Sequence, residues 1–170
     1  FIDAGHILGS ASVHLTVAGK EGVRRITFSG DVGRYVSRLL PPPRPFPQAD
    51  VIISESTYGD RDHPAVTGSE QELLDHVNRV CVEQEGRLII PAFSVGRTQE
   101  ILYALNKFFN EGRLPRVPVF MDSPLSINAT DIYRRYSDLL RADIRKELEG
   151  DSDLFAFPGV EFVREAWRSK

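Results

Sequence analysis

The sequence predicts an α/β protein built in two styles: an antiparallel β-hairpin, then a parallel sheet layered with helices. Two observations carry that expectation. Apolar residues alternate with period two up to about residue 30, and after residue 50 short apolar runs alternate with segments of helical periodicity. The change between the two styles falls beyond a proline-rich stretch, which marks where one architecture hands over to the other.

In chain order, Phe1-Ile2 reads as the end of a short apolar strand. Val13, Leu15 and Val17 then alternate with Ser12, His14 and Thr16. After a Gly19-Lys20-Glu21-Gly22 turn, Ile26 and Phe28 alternate with Thr27 and Ser29. This is the pattern of a hairpin with one buried face, and it sets His14 on the polar face. Leu39 to Pro47 carries Pro at 41, 42, 43, 45 and 47, so it cannot join a ladder or a helix interior and is expected as an extended surface connector. Val51-Ile52-Ile53 is a short continuous apolar run that reads as a strand. A helix follows with Leu73, Leu74, Val77, Val80 and Cys81 on its apolar stripe, opened by a Ser69–Glu72 capping box and stopped by Gly86. Leu88-Ile89-Ile90 repeats the theme, with a helix carrying Ile101, Leu102, Leu105, Phe108 and Phe109 and closing near Gly112. Val117 to Met121 repeats it again, with Ile132, Tyr133, Tyr136, Leu140, Ile144 and Leu148 on a third helix. Three strand-loop-helix units in succession imply a parallel sheet covered by helices.

Composition excludes several classes. In 170 residues, 41% hydrophobic and 26% charged residues fit a soluble globular chain and rule out disordered and collagen-like ones. No apolar run approaches the roughly 20 residues of a membrane span, and no export signal is visible, so a cytoplasmic setting is expected. Cys81 stands alone and can form no internal disulfide; its place on an apolar stripe predicts a buried structural thiol. Net charge is −3. Through Thr57 there are 6 Lys/Arg against 5 Asp/Glu, and beyond it 15 against 19, so no basic half announces nucleic acid and local groups would have to bind it. The chain opens at Phe1, without Met and within a strand, and reads as part of something longer.

In parallel α/β sheets ligands gather where the carboxyl ends of strands meet helix N-termini. The three loops expected there are Ser54-Glu-Ser-Thr-Tyr-Gly-Asp60, Pro91-Ala-Phe-Ser-Val-Gly-Arg97 and Asp122-Ser-Pro124. They offer a carboxylate, hydroxyls, an arginine and backbone N–H groups, which suits an anionic substrate such as a phosphodiester. Helix-capping preference alone would also supply Ser94, Thr98 and Ser123. His6 and Asp31 each end a strand among glycines, and imidazole plus carboxylate are two of the ligand types of a Zn²⁺ site. Spacing alone favours a hydrogen-bonded histidine and a turn-forming aspartate over a metal site. His14, His63 and His76 receive no catalytic role. No Gly-x-Gly-x-x-Gly or Walker-type loop follows any strand, which disfavours a nucleotide-binding module.

Five segments in order, Asp3-Ala-Gly-His-Ile-Leu-Gly-Ser10, Phe28-Ser-Gly-Asp-Val-Gly-Arg34, Ser54-Glu-Ser-Thr-Tyr-Gly59, Pro91-Ala-Phe-Ser-Val-Gly-Arg-Thr-Gln-Glu100 and Met121-Asp-Ser-Pro-Leu125, resemble the β-CASP branch of the metallo-β-lactamase superfamily, RNA-processing metallo-hydrolases. The resemblance covers nearly the whole chain, and the tail Pro158-Gly-Val-Glu-Phe-Val163 resembles the stretch before the family's next sheet strand. It implies part of a metallo-β-lactamase αββα lobe over residues 1–57, containing the hairpin, and over 58–170 most of a three-layer, parallel-sheet β-CASP lobe. His6 would bind one Zn²⁺ and Asp31 would bridge two. Glu55 would support a general-acid histidine supplied elsewhere in the chain, and Ser94, Gly96, Arg97 and Ser123 would contact substrate phosphates. The implied activity is hydrolysis of RNA, single-stranded for preference, by a metal-bridging hydroxide. Processing-complex subunits or further copies of the chain would be its partners, with no membrane. The family's His-x-His-x-Asp-His motif and its later histidine motifs are not matched. With two matched ligands, the 170-residue piece is expected to hold zinc weakly and to be inactive by itself. The competing expectation is a catalytically dead family member that scaffolds RNA-processing partners.

Overall fold

The computed structural model describes residues 1–20, 22–62 and 68–164. The chain divides into two compact units, one of Phe1–Pro64 with Leu139–Arg141 and the other of Ala65–Asp138 with Ala142–Lys170.

The first unit is a four-stranded sheet in the order β1 (Ile2–Asp3), β2 (Ala11–Gly19), β3 (Gly22–Phe28), β4 (Val51–Ile53). β2 and β3 form the expected antiparallel hairpin, with Val13 opposite Phe28 and Leu15 opposite Ile26. β1 joins antiparallel to β2, and β4 joins parallel to β3 through Ile26–Val51 and Phe28–Ile53. The expectation of one buried apolar face is corrected. Leu15, Val17 and Val23 stand about half exposed, whereas Ser12 and Thr27 of the polar row are buried. Small hydroxyls can be buried because each finds a partner: Ser12 Oγ donates to the Ser29 carbonyl at 2.6 Å, and Thr27 Oγ1 lies 2.8 Å from Nδ1 of a half-buried His14. The proline-rich connector has no regular structure, but it is not wholly superficial. Pro43, Leu39 and Leu40 are buried, and Arg44 N–H donates to the Asp3 carbonyl at 3.0 Å.

The second unit contains α1 (Ser69–Val77), continued by a π-helical stretch Asn78–Glu83, then α2 (Arg97–Asn110), β5 (Val119–Met121), α3 (Pro124–Arg135), α4 (Ala142–Glu147) and β6 (Val160–Phe162). Gly68, left-handed at φ 88°, occupies the N-cap of α1, so Ser69 is already helical and does not open a capping box. Cys81 rides the π-helical stretch half-buried rather than buried. β5 and β6 pair in parallel, Val119 with Val160 and Met121 with Phe162, so the tail is itself a strand. Leu88–Ile90 enters no ladder. Leu88 packs on the core formed by Val77, Leu105 and Phe157, while Ile89 and Ile90 face outward. The single third helix is replaced by α3, a 3₁₀ turn at Ser137–Leu139, and α4. Tyr136 leaves helical geometry at φ −110°, ψ 36°, which ends α3. α2 matches its expected stripe, burying Leu102, Leu105 and Phe108, and ends where Gly112 (φ 68°) donates to the Phe109 carbonyl. Phe109 stacks on Phe157 at 5.8 Å and Tyr133 meets Phe155 edge-on at 6.1 Å. Among the described residues no helix is long and apolar enough to cross a membrane.

Candidate functional site

His6 follows β1 in a turn fixed on both flanks. Asp3 Oδ1 accepts the Gly5 N–H at 2.9 Å, and Ser10 Oγ accepts the N–H groups of His6 (3.1 Å) and Ile7 (3.2 Å). Short polar side chains that bond nearby backbone in this way hold turns without a ladder. Asp31 follows β3 in a second turn, and two glycines let the turns interlock. Gly33 N–H donates to the Ala4 carbonyl at 2.8 Å, and a Cβ on Gly33 would stand 1.8 Å from the Gly5 oxygen. Gly5, at φ 60°, is in turn pressed against the proline connector, where a Cβ would lie 2.7 Å from Pro43 N. Backbone contact this close is open only to glycine.

The interlock sets His6 Nε2 3.7 Å from Asp31 Oδ2, with both side chains accessible. Glu55, just past β4, is tied to the same turn at two points. Its N–H donates to Ser29 Oγ at 3.1 Å, and its Oε1 accepts the Val32 N–H at 2.7 Å. That N–H bond, followed by the Thr57 hydroxyl, holds the Glu55 carboxyl below the ordinary glutamate value of 4.5 against the smaller opposing effect of desolvation, with minor help from His6 and the Thr57 N–H. Glu55 is therefore ionised at neutral pH. Two donors on one Zn²⁺ at 2.0–2.2 Å lie about 3.4 Å apart in tetrahedral geometry, so His6 and Asp31 at 3.7 Å fit two adjacent ligand positions. Among the described residues no group of three or more His, Cys, Asp or Glu could hold a metal ion.

Ser94, Gly96, Arg97 and Ser123 belong to the second unit and form a separate loop cluster. Gly96, at φ 84°, is the N-cap of α2, and its N–H donates to Gln99 Oε1 at 2.7 Å. Gln99 is fully buried. Its Nε2 donates to Thr130 Oγ1 at 2.9 Å and to the carbonyls of Ser94 (3.2 Å) and Ser126 (3.4 Å). One amide thus joins the loop before α2 to the first turns of α3. Ser123 caps α3, its Oγ accepting the Ser126 N–H at 3.2 Å, so its own proton is not spent in that bond. Arg97 is exposed. Thr98 Oγ1 donates to the Phe93 carbonyl at 2.8 Å and closes the loop. Of the remaining histidines, His76 is half-buried with Nδ1 2.7 Å from Arg79 Nη2, and His63 lies outside the described residues.

Sequence reasoning missed Ser10, Gly33, Ser29 and Gln99. Ser10, four residues after His6, carries a local signal, that of a hydroxyl closing a turn. Gly33 and Ser29 act through partners more than twenty residues away, and Gln99 pairs locally with Gly96 and Ser94 but reaches Ser126 and Thr130 across 27 and 31 residues.

Residues 98–170 match the family model of the Beta-Casp domain. The whole chain is similar to Ribonuclease TTHA0252 of Thermus thermophilus, 36% identical over 170 residues, which is 100% of this chain and 38% of that protein. An RNase J-like protein of Methanocaldococcus jannaschii is 41% identical over 152 residues, 88% of this chain and 35% of its own length. Endoribonuclease YSH1 of Kluyveromyces lactis is 32% identical over 167 residues, 95% of this chain and 21% of its own length. The chain therefore spans less than two-fifths of these relatives. The Beta-Casp match, together with a relative that aligns over the whole chain and another that aligns over 88% of it, places this chain in the β-CASP family of the metallo-β-lactamase fold.

Proposed function

We propose that this chain is the middle section of a zinc-dependent ribonuclease, with residues 1–57 as part of its metallo-β-lactamase-like lobe and 58–170 as most of its β-CASP lobe. The observation that carries the reading is the convergence of His6 Nε2 and Asp31 Oδ2 at 3.7 Å, with Glu55 braced on the same turn. An imidazole and a carboxylate held accessible by interlocked glycine turns are placed to ligate a cation. That relatives 41%, 36% and 32% identical to this chain bear ribonuclease names points to an RNA phosphodiester as substrate.

In this reading His6 and Asp31 would hold zinc, Asp31 as the carboxylate shared within the metal centre. When bound, the metal pair supplies Lewis acidity that activates water near neutral pH and offsets charge growing on phosphate. Glu55, ionised and fixed by the Val32 N–H, can accept a further N–H from an imidazole and hold that ring oriented to protonate the leaving oxygen. Arg97 supplies the exposed positive charge for a phosphate of single-stranded RNA. Ser94, Gly96 and Ser123 shape that loop cluster, and the Ser123 hydroxyl proton is a further donor. His6, Asp31 and Glu55 are all of catalytic type, which favours an enzyme over a dead scaffold.

The test is cleavage of labelled RNA by the full-length protein. Changing groups that merely orient a metal ligand costs about 10–100-fold, so Asp31→Ala, which removes a ligand outright, is expected to lower cleavage by at least about 100-fold. Undiminished cleavage by Asp31→Ala removes the bridging assignment. The 170-residue chain alone, with two donors, is expected to bind zinc weakly and to turn over no RNA.

A further inference from the structure

Ser29 lies between β3 and Asp31, is fully buried, and uses every polar group it has. Its N–H donates to the Ile53 carbonyl at 2.9 Å, and its own carbonyl accepts Ser12 Oγ at 2.6 Å. Its hydroxyl donates to the Gly30 carbonyl at 2.6 Å and accepts the Glu55 N–H at 3.1 Å. One small residue therefore fastens the ends of β2, β3 and β4 together. Glu55 then reaches over Asp31 to take the Val32 N–H with its carboxylate. The stretch 29–32 is held at both ends by the same glutamate, through its backbone at Ser29 and its side chain at Val32, and Asp31 is the exposed residue between the two fastenings.

We propose that Ser29 is a positioning residue: its hydroxyl keeps Asp31 in the orientation that faces His6 and sets Glu55 in register with it. The proposal rests on the reading of His6 and Asp31 as metal ligands. It adds that the metal site and the acidic residue are one mechanical unit, joined by a hydroxyl that touches neither cation nor substrate. Without it, the Glu55 N–H and the Gly30 carbonyl lose a buried partner, and the turn carrying Asp31 is free to shift against β4.

The experiment compares Ser29→Ala with Ser12→Ala in the full-length protein. Ser12 is equally buried and is bonded to the same residue, but its hydroxyl does not hold Glu55. Zinc affinity is read by chelator competition, and RNA cleavage is resolved into kcat and KM. Ser29→Ala is expected to weaken zinc binding about tenfold or more and to lower kcat, with KM for RNA within about twofold of wild type. Ser12→Ala is expected to lose thermal stability alone. Ser29→Cys, nearly the same volume with a weak hydrogen-bonding group, is expected to fall between, and it serves if Ser29→Ala does not fold. Wild-type zinc affinity in either folded Ser29 variant overturns the proposal, as does an equal loss in Ser12→Ala. A wild-type protein that cuts no RNA refutes the ribonuclease reading, while the zinc comparison still decides the role of Ser29.

Discussion

The two units are held together by different physics. The second buries a broad apolar set, including Leu102, Leu105, Phe108, Ile127, Tyr133, Phe155 and Phe157. Among the described residues of the first, the buried hydrophobics are Ala4, Leu39, Leu40 and Leu140, and they are matched by buried Ser12, Thr27 and Ser29. Its β4 residues Val51, Ile52 and Ile53 all stand about half exposed. One unit owes its shape to the removal of apolar surface from water. The other owes the geometry of its site to glycine-permitted backbone contact and to hydroxyls that bond across turns. A core of the first kind fails when atoms are taken away; an interlock of the second kind fails when an atom is added.

The largest effect is therefore expected from truncation in the second unit. Phe108, 2% exposed and under the Arg113 guanidinium at 4.9 Å, should cost about 3–5 kcal/mol as Phe108→Ala. The loss should appear as faster hydrogen exchange of α2 amides, with zinc affinity of the full-length protein unchanged. A fall in zinc affinity would mean that the two units do not keep separate accounts of stability.

Addition of one methyl should do the converse in the first unit. Gly33→Ala forces a Cβ to 1.8 Å from the Gly5 oxygen, which only separation of the two turns relieves, at a cost of about 3 kcal/mol. Gly22→Ala, at φ 108° but with nothing within 4 Å, sets the reference for conformational strain alone, about 1–2 kcal/mol. The expected signature is loss of zinc binding in Gly33→Ala with exchange in α2 untouched. Equal zinc affinity in the two variants would show that the interlock does not place His6 against Asp31.

What the sequence made legible follows the same division. Periodicity found the hairpin, α2, β5 and the last turn of α3, because those elements announce themselves within a dozen residues. It misplaced Leu88–Ile90, since a three-residue apolar run looks the same whether it pairs or, as here, sends one side chain into the core and two outward. It also ran α3 into α4, because apolar spacing continues across a break that Tyr136 makes in the backbone alone. Glycine neighbours drew attention to His6 and Asp31, but the roles of these two and of Glu55 came only from the resemblance to the β-CASP branch. The reason they meet could not be read from the sequence, because Gly33 acts on Gly5, and Ser29 on Glu55, across more than twenty residues. Gln99 was missed in part for the same cause: a glutamine near a helix start reads as a local cap, which it is for Gly96, and only the distant Ser126 and Thr130 show it to be a buried joint.

The smallest expected effect contrasts one carboxylate from each unit. Glu55 and Asp131 are both held below their ordinary values, by different partners. For Glu55 the Val32 N–H dominates; for Asp131 it is the Arg164 guanidinium, with Arg134 adding to it against desolvation. Arg164 Nη2 lies 3.1 Å from Asp131 Oδ2 and Arg134 Nη1 lies 2.8 Å from Oδ1. A carboxyl whose folded-state pKa is depressed contributes stability that is present above its unfolded value, near 4, and lost as pH falls through the folded value. Both units should therefore weaken on acidification below about pH 4.5, modestly, since both groups are exposed. Salt tells them apart. The attraction between exposed opposite charges is screened over about 3 Å at 1 M, whereas a short bond to a backbone N–H is not. In a carboxyl-carbon NMR titration, high salt should raise the Asp131 midpoint and leave that of Glu55 nearly in place. A Glu55 midpoint that climbs as far as that of Asp131 would mean that long-range charge, and not the Val32 N–H, keeps Glu55 ionised, and the brace on the Asp31 turn would have to be abandoned.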